Sequence, residues 1–432
     1  MVDIKFIFLL CVAVCVVVAK HEQYEGYTLY EVTVRTAEEA QFVEQLRQRL
    51  LIDVWMPAHP GRPGHLFVSK EVKNDFESTL NAARVAYKAT TTNIKEQLDH
   101  EDELLAAAKL TSRASRNGSL PLDQIYRHQE INDYLDRLGR DYPNLVTVVS
   151  AGRSFEGRET KYLRISTTNF QDHSKPVVFI QSLLHAREWV TLPASLYAIQ
   201  KLVTDVTESD LINDIDWIIV PVANPDGYEW SHTNARFWRK NRRTGLVIAD
   251  ICLGVDLNRN YDIFWGTASS NSVCADDYHG TAGFSEPETQ ALRWILQQHS
   301  GRIQLFVDVH SYGSMILYGY GNGQFPPNAL IVNLVAVNMA QSVDRVKWAS
   351  NPNYIVGNIF NVLYAASGGS SDYAQSINIP LSYTYELPAY RNSGGFNGFL
   401  VDPLFIEQAG YETWEGIKVG ARYARDNYRS QK

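Results

Sequence analysis

The sequence predicts an α/β protein, in which a mixed, twisted β-sheet is sandwiched by helices and preceded by a small α+β domain with an antiparallel sheet. From residue 121 onward, apolar strand-like runs alternate with helical stretches, as in layered α/β folds whose loops at the strand ends form the site. Residues 27–87 instead follow the order strand, helix, strand, strand, helix, strand, which indicates an open antiparallel sandwich. At 432 residues the chain is long enough for two such domains.

The first residues have the features of a signal peptide. Lys5 precedes an unbroken apolar run at 6–19, which ends in the small-residue pattern of a signal peptidase site. About fourteen apolar residues are too few to span a bilayer comfortably, and no later run approaches ~20. We therefore expect residues 1–19 to be removed and the mature protein to be soluble and secreted, without a membrane partner.

Composition and charge narrow the functional classes. The chain is 45% hydrophobic and 20% charged, which is ordinary for a globular protein. A formal net charge of −8 argues against a general nucleic-acid binder. Once Cys11 and Cys15 leave with the signal peptide, Cys252 and Cys274 remain. An oxidising compartment favours a disulfide between them, and the alternative is a zinc–thiolate pair, which lacks the C-x-x-C form.

Residues 20 to about 94 form the smaller predicted domain. The alternation of apolar and polar residues predicts strands at 27–34, 51–56, 65–69 and 84–87 and helices at 36–50 and 72–83. A strongly charged helix is then predicted at 94–110, with one face packed and the other solvated.

The segment 111–120 (T-S-R-A-S-R-N-G-S-L) is small, polar and basic, as linkers are. Arg113 and Arg116 make it sensitive to a trypsin-like protease. A passive linker is the alternative, but a signal peptide before it and an enzyme-like domain after it favour an activation site. We therefore predict an activation domain at 20–116 and a catalytic domain at 117–432, with a glycosylation sequon at Asn117.

The larger domain is predicted to alternate helices with strands. Strand 215–222 (I-D-W-I-I-V-P-V) is almost continuously apolar, as expected when both faces of a sheet are covered. A long loop region is expected at 223–284. The remaining elements are helices at 121–138, 188–203, 286–299, 328–343 and 403–427, and strands at 145–150, 161–167, 177–183, 303–310, 314–318 and 380–386.

Residues suited to bind a divalent metal follow two of these strands. His185 is expected at the end of strand 177–183 and Glu188 on the next helical turn, although H-x-x-E alone is weak evidence. His310 ends strand 303–310, where a structural histidine is the alternative interpretation. Together the three residues would leave one position open for water, as in a catalytic zinc site. Asp256 could orient one of the imidazoles.

Other polar residues are suited to act on a substrate beside such a metal. Glu386 ends the strand S-Y-T-Y-E-L; it could be a surface cap, or it could take a proton from a metal-bound water and return it to a leaving amine. The charge run 236–243, with Arg236 and Arg239, by itself favours a solvated face. Asn258 beside Arg259 is suited to hold a carboxylate bidentately.

Eight ordered motifs resemble those of the secreted metallocarboxypeptidases of the pancreatic or digestive A/B type. They are H-A-R-E-W, N-P-D-G-Y, F-W-R-K-N-R, G-V-D-L-N-R-N, Y-H-G-x-x-x-F-S-E-P-E, D-V-H-S-Y, A-S-G-G-S-S-D and T-Y-E-L. The resemblance covers residues 20–432, because the N-terminal domain is similar to that family's inhibitory activation domain. Carboxypeptidase A is itself a reference case for the three-ligand catalytic zinc site, so the metal assignment is not independent of the resemblance.

The resemblance implies the metallocarboxypeptidase fold and a role for each matched residue. It implies one Zn²⁺ per chain, bound by His185, Glu188 and His310. It further implies that Glu386 is the general base and acid and that Arg239 stabilises the oxyanion. Other implied features are a clamp for the substrate carboxylate (Asn258, Arg259 and Tyr364 on a mobile loop), neighbouring subsites (Arg187, Arg236 and Tyr312), a Cys252–Cys274 disulfide and a cis bond after Ser311.

Specificity depends on the position that aligns with Ser371 at the floor of the pocket. A-like members usually carry an apolar residue there and B-like members an acid. Ser371 is uncharged and its predicted neighbours Ile359, Ala366 and Thr384 are apolar or small, so we expect apolar or aromatic C-terminal residues to be preferred. Relaxed or B-like specificity is the alternative. The loop after Glu386 is about four residues longer than in the pancreatic pattern.

The expected function is therefore that of a secreted zinc exopeptidase made as a zymogen, monomeric and working in a digestive lumen. Its partners would be peptides with a free C-terminus and an activating trypsin-like protease. A zinc deacylase on the same scaffold is an alternative, but it does not need the Asn258–Arg259 clamp or an activation domain. A catalytically silent binding protein would require the loss of Glu386 or a metal ligand, and none is lost.

Overall fold

The computed structural model describes residues 20–112, 119–389, 391–392, 395–396 and 398–430. The predicted signal peptide, Arg113, Arg116 and Asn117 lie outside the described residues. No helix in the described part of the chain is long and apolar enough to cross a membrane.

The N-terminal domain is the predicted open sandwich. Its antiparallel sheet has the order β2-β3-β1-β4. Thr36 caps α1 by accepting a hydrogen bond from the Glu39 amide. The elements are β1 (Thr28–Thr33), α1 (Ala37–Leu50), β2 (Asp53–Met56), β3 (Gly64–Val68), α2 (Lys73–Ala83) and β4 (Ala86–Thr91), followed by the connecting helix α3 (Ile94–Thr111).

The larger domain alternates strands and helices, as predicted. In its described residues the elements up to residue 233 are α4 (His128–Asp141), β5 (Val146–Arg153), β6 (Glu159–Ile165), β7 (Val177–Ser182), α5 (Thr191–Ile199), α6 (Asp210–Asn213), β8 (Asp216–Val220) and α7 (Pro225–Thr233). They are followed by α8 (Pro287–His299), β9 (Ile303–Ser311), β10 (Met315–Tyr318), α9 (Ala329–Asp344), β11 (Ile355–Asn358), α10 (Ile359–Val362), α11 (Ser370–Ser376), β12 (Leu381–Leu387), β13 (Arg391–Asn392), β14 (Gly395–Phe396) and α12 (Pro403–Ser430).

The strands β5 to β12 form one mixed sheet with the order β11-β10-β12-β9-β7-β8-β6-β5 among the described residues. The central strands β12, β9, β7 and β8 are parallel, whereas β6, β5 and β10 pair antiparallel. Since the carboxyl ends of parallel strands meet at one edge, the loops that follow β7, β9 and β12 gather there.

Helices cover both faces of this sheet. Helices α5, α9 and α12 contribute to one buried apolar cluster and α8 and α11 to another. Strand β7 is buried along its whole length, because it lies between these two layers. The result is the predicted three-layer fold, whose rigid centre carries the site.

Several predicted boundaries are wrong, each for a local reason. Helix α4 begins at residue 128, not 121, because Glu130 accepts a hydrogen bond from the Arg127 amide and so forms a capping box. Strand β4 starts at residue 86, since Arg84 ends α2 in a left-handed conformation (φ 56°). Residues 223–284 contain α7, which the turn-like letters N-P-D-G concealed: Asn224 caps it and Pro225 is its first residue.

Candidate active site and metal centre

His185, Glu188 and His310 converge at the carboxyl edge of the sheet, and all three side chains are buried. The Nδ1 atoms of His185 and His310 lie 2.8 and 2.9 Å from the two Glu188 carboxylate oxygens and 3.0 Å from each other. Two imidazole nitrogens and a carboxylate directed at one point form a suitable ligand set for Zn²⁺, and they leave room for a fourth ligand.

Glu188 lies in the loop after β7 and not on the first helical turn, so the prediction was wrong on this detail. Helix α5 begins only at Thr191, whose hydroxyl donates to the Glu188 carbonyl oxygen and accepts from the Leu183 amide. Leu183 adopts a left-handed conformation with φ 56°. These turns direct both metal-facing side chains back over the end of the strand.

Charge in the site is balanced by buried partners. Burial alone would raise the pKa of Glu188, but His185 and His310 outweigh this effect and hold the pKa of its carboxyl below the usual value. Asp256 Oδ1 lies 3.0 Å from His185 Nε2, as predicted, while its Oδ2 accepts hydrogen bonds from Arg239 Nε and Nη2 at 3.0 and 2.9 Å. Asp256 therefore links a metal-facing imidazole to the arginine.

Glu386 meets His310 through strand register, because the two residues are partners across the parallel β9–β12 pair. Its carboxyl group is partly exposed to the cavity. Burial is the largest influence on this group and raises its pKa to about 7, against the opposing effect of His310. A cation at the three-residue cluster would lower that pKa, so the carboxylate would be ionised and able to accept a proton near neutral pH.

A cavity of about 1,410 Å³ between the two domains contains most of the predicted site residues. Arg259 Nη2 donates to Tyr364 Oη at 3.0 Å, and Asn258 Oδ1 accepts from the Ser370 amide at 2.8 Å. The predicted residues that line the cavity are His185, Arg187, Glu188, Arg239, Asn258, Arg259, His310, Tyr312, Tyr364, Ser371 and Glu386.

Arg187 and Arg236 contact the N-terminal domain. Arg187 Nη1 donates to Asp53 Oδ2 at 2.6 Å, and its guanidinium lies over the Phe399 ring. Arg236 does not line the cavity: its Nε and Nη2 bond the Glu101 carboxylate at 2.7 and 3.1 Å. No local sequence pattern marks Asp53 or Glu101 as partners of these arginines, because the pairing depends on how the domains dock.

Tyr312 and Ser371 both line the cavity. The Tyr312 hydroxyl is 3.2 Å from His65 Nδ1 of the N-terminal domain, and the predicted cis bond between Ser311 and Tyr312 is present. The Ser371 and Thr384 hydroxyls lie 2.8 Å apart. The predicted disulfide joins Cys252 and Cys274 and closes part of the loop region near the cavity.

Sequence reasoning missed Asp308, which contacts His310. The available signal was an acid inside the apolar strand L-F-V-D-V-H, two residues before a metal-facing histidine and thus on the same face of the strand.

The site consists of two buried histidines and a carboxylate, with a second carboxylate and an arginine beside them, at the carboxyl edge of an α/β sheet. This arrangement is typical of metal-dependent hydrolases. Two family descriptions match the chain: "Zinc carboxypeptidase" over residues 131–416 and "Carboxypeptidase activation peptide" over 30–101.

Similar proteins cover nearly the whole chain. "Carboxypeptidase B" of Helicoverpa zea is 45% identical over 428 residues, which is 98% of this chain and 99% of that protein. "Carboxypeptidase A2" of Mus musculus is 32% identical and covers 94% of this chain and 95% of its own length. A crystal structure of carboxypeptidase A from Helicoverpa armigera has a TM-score of 0.92 at 60% identity, covering 94% of this chain and 99% of its own.

The chain therefore belongs to the zinc carboxypeptidase family and carries that family's activation peptide as its N-terminal domain. The crystal structure of the Helicoverpa armigera protein confirms the predicted fold. Since similar proteins carry both A and B names, the family assignment leaves the preferred C-terminal residue open.

Proposed function

We propose that this protein is the secreted zymogen of a zinc carboxypeptidase that removes single C-terminal residues, with Glu386 as general base. The observation that supports this most is the presence of a three-ligand metal cluster, Glu386 and a carboxylate-binding group in one cavity. Neither a deacylase nor a silent binding protein requires that combination. Secretion is supported by the apolar segment at residues 6–19.

In the proposed mechanism, His185, Glu188 and His310 hold the metal, which when bound supplies Lewis acidity toward a water and the scissile carbonyl. Glu386 accepts a proton from the attacking water and donates one to the leaving amine nitrogen. Arg239 is oriented by Asp256, and its Nη1 lies 3.9 Å from Glu188 Oε1, so its charge faces the region where the oxyanion develops.

Arg259, Asn258 and Tyr364 are proposed to bind the terminal carboxylate of the substrate. Arg259 is buried and already contacts the Tyr364 hydroxyl, which is a hydrogen bond that a substrate carboxylate would replace. A guanidinium can bind a carboxylate with two parallel hydrogen bonds, which fixes the chain end at a set distance from the metal cluster. This distance makes the enzyme an exopeptidase.

The pocket for the C-terminal side chain is proposed to be A-like. Ser371 and Thr384 satisfy one another by hydrogen bonding, and Leu317, Ile359 and Leu363 line the same cavity. Burial raises the pKa of Asp372 to about 7, and one of its oxygens accepts from the Gly321 amide. Asp372 is therefore a poor counter-charge for a substrate lysine, and apolar or aromatic ends should bind best.

Activation is proposed to follow cleavage at Arg113 or Arg116 by a trypsin-like protease. The N-terminal domain neutralises Arg187 with Asp53 and Arg236 with Glu101, and it packs Trp55 on Phe399 with ring centroids 5.0 Å apart. These groups restrict the side of the cavity that a peptide chain would enter. Cutting the linker makes their dissociation irreversible, because the domain is then free to diffuse away.

The general-base assignment is tested with Glu386→Gln, assayed on a blocked dipeptide after trypsin treatment. We expect hydrolysis to be abolished while zinc content stays near one ion per chain. Glu412→Gln is the matched control, since Glu412 is buried, has a pKa raised to about 7 and lies on α12 outside the cavity. A Glu386→Gln enzyme that retains activity would overturn the assignment.

The specificity assignment is tested by a series of blocked dipeptides that end in Phe, Leu, Lys or Glu. We expect the largest kcat/KM for the apolar ends. A preference for Lys would show that the B-like alternative is correct and that a negative charge in the pocket outweighs the neutral Ser371.

A further inference from the structure

Strand β9 carries a second carboxylate directed at the metal cluster. Asp308 and His310 are two residues apart, so their side chains lie on the same face of the strand. Both are almost completely buried, and Asp308 Oδ2 lies 2.8 Å from His310 Nε2. The other ring nitrogen, Nδ1, faces His185 and Glu188.

Metal binding at Nδ1 would fix which nitrogen carries the hydrogen. If Nδ1 donates its lone pair to a metal, the neutral ring carries its hydrogen on Nε2, which can then donate to Asp308. Asp308 is itself held by two donors from other elements: Gln181 Nε2 donates to Oδ1 at 2.8 Å, and the Ser370 hydroxyl donates to Oδ2. The carboxylate is therefore oriented before any metal arrives.

The two imidazoles have unequal carboxylate partners. Asp256, which contacts His185, also forms an ion pair with Arg239, so much of its charge is already neutralised. Among the described residues, Asp308 forms an ion pair with His310 alone. Since no arginine or lysine shares its charge, Asp308 should polarise its imidazole more strongly than Asp256 polarises the other one.

We propose that Asp308 is a positioning residue of the metal centre: it locks His310 in the metal-binding tautomer and strengthens its Nδ1 as a donor, so that zinc is retained longer. This inference rests on the proposed zinc site at His185, Glu188 and His310. Ser370 extends the network toward the substrate, because its amide donates to Asn258 Oδ1 while its hydroxyl donates to Asp308.

The test is the rate at which the zinc-loaded full-length chain releases zinc to an excess of a chromogenic chelator. Outer-shell partners of metal ligands typically contribute about 10–100-fold in affinity, so we expect Asp308→Asn and Asp308→Ser to release zinc faster by about that factor. Asp216→Asn is the matched control: Asp216 is a fully buried carboxylate on β8 that pairs with Lys175 and Arg302, and its loss should leave the release rate unchanged.

Ser370→Ala covers the case in which the Asp308 variants do not fold. It keeps the carboxylate but removes one of its donors, so its effect on zinc release is indirect and smaller, about threefold. Release within the error of the parent rate, in the Asp308 variants or in Ser370→Ala if only that variant folds, overturns the inference. A parent chain that binds no zinc overturns the metal site itself, and the inference with it.

Discussion

At the residue scale, the site depends on carboxylates whose partners differ. Glu188 faces two imidazoles and is held ionised, whereas Glu386 faces the open cavity, and burial raises its pKa to about 7. Asp256 and Asp308 each contact one imidazole from behind. In the proposed mechanism the carboxylate thus serves as metal ligand, general base or orienting partner, according to what surrounds it.

The pocket floor is tested by Ser371→Asp. A carboxylate beside Thr384 would attract a cationic C-terminal side chain, so kcat/KM should rise by about tenfold for Lys and fall for Phe. Dipeptide kinetics with both substrates measure the change, and Ser371→Asn is the neutral control of similar size. An unchanged Lys-to-Phe ratio would mean that Ser371 does not contact the substrate side chain.

The carboxylate clamp is tested by Arg259→Lys. A lysine keeps the charge but cannot form two parallel hydrogen bonds, so kcat/KM should fall by about 10²-fold through KM. Peptides with an amidated C-terminus lack the charged group, so their kcat/KM should be the same in the variant and the parent. If free and amidated peptides lost activity equally, Arg259 would have a structural role instead.

The polar side chains that follow apolar strands could be predicted as site residues. A polar residue at the end of a buried strand is unusual unless it binds a partner or a ligand. Asp308 was missed because it lies inside such a strand and not at its end, although its position two residues before His310 was an available signal. Asp53 and Glu101 were not predicted as partners of the arginines, because no local sequence feature distinguishes them from other acids in the N-terminal domain.

At the scale of elements, β2 and α3 of the activation domain deliver the acidic groups that neutralise the arginines of the catalytic domain. Asp53 is the first residue of β2, and Glu101 lies in the middle of α3. The Glu101 carboxylate also accepts from the Val401 amide at 2.7 Å, so one side chain joins the linker helix to two separate segments. We expect these contacts to hold the uncleaved protein closed.

Latency should weaken in Asp53→Ala. Arg187 loses its acidic partner there, and a buried ion pair broken on one side is costly, so the activation domain should open more often. We expect the uncleaved chain to hydrolyse a blocked dipeptide about tenfold faster than the parent, which corresponds to ~1.4 kcal/mol. Asp75→Asn, an exposed acid on α2, is the control. If the uncleaved variant and the uncleaved parent hydrolysed the dipeptide at the same rate, Asp53 would not contribute to latency.

The stability of the zymogen should depend on pH through Asp276. Burial, together with the Asp53 carboxylate across the domain interface, raises the pKa of Asp276 from 3.8 to about 6. A raised acid pKa means that the folded state favours the protonated form, so stability is lost as pH rises from about 4 to 6.

That loss is at most about 3 kcal/mol, and it should be nearer 1 kcal/mol because Asp276 is partly exposed. Asp276→Asn cannot ionise, so its melting temperature should fall less than that of the parent between pH 4 and 6. If the melting temperatures of the two proteins fell by the same amount between pH 4 and 6, the proposed role of Asp276 would be wrong.

Long, strongly periodic elements such as α9, α12 and β9 were predictable, because burial imposes a regular spacing of apolar residues. Helices α7 and α11 were not, since both are short and their polar letters resemble a turn. Their helical form depends on capping and on tertiary packing, which overrides local propensity.

At the scale of the whole molecule, two domains of different architecture enclose one cavity. An aromatic cluster seals the contact between them, with Tyr24, Trp55 and Phe67 from the activation domain and Phe237, Tyr312 and Phe399 from the catalytic domain. The metal cluster and the clamp belong to the larger domain, so the chemistry does not require the smaller one. In the proposed function, the smaller domain controls access to the cavity.

The proposed function requires that the catalytic domain hydrolyse C-terminal peptide bonds with one bound zinc ion. The most direct measurement is the release of single C-terminal residues from a blocked Phe-ending dipeptide by the trypsin-treated chain, with zinc content determined on the same sample. We expect one zinc per chain, activity that a chelator abolishes and activity that added zinc restores. Hydrolysis that persists after zinc has been removed, or a zinc-loaded and activated chain that releases no residue, would contradict the proposed function.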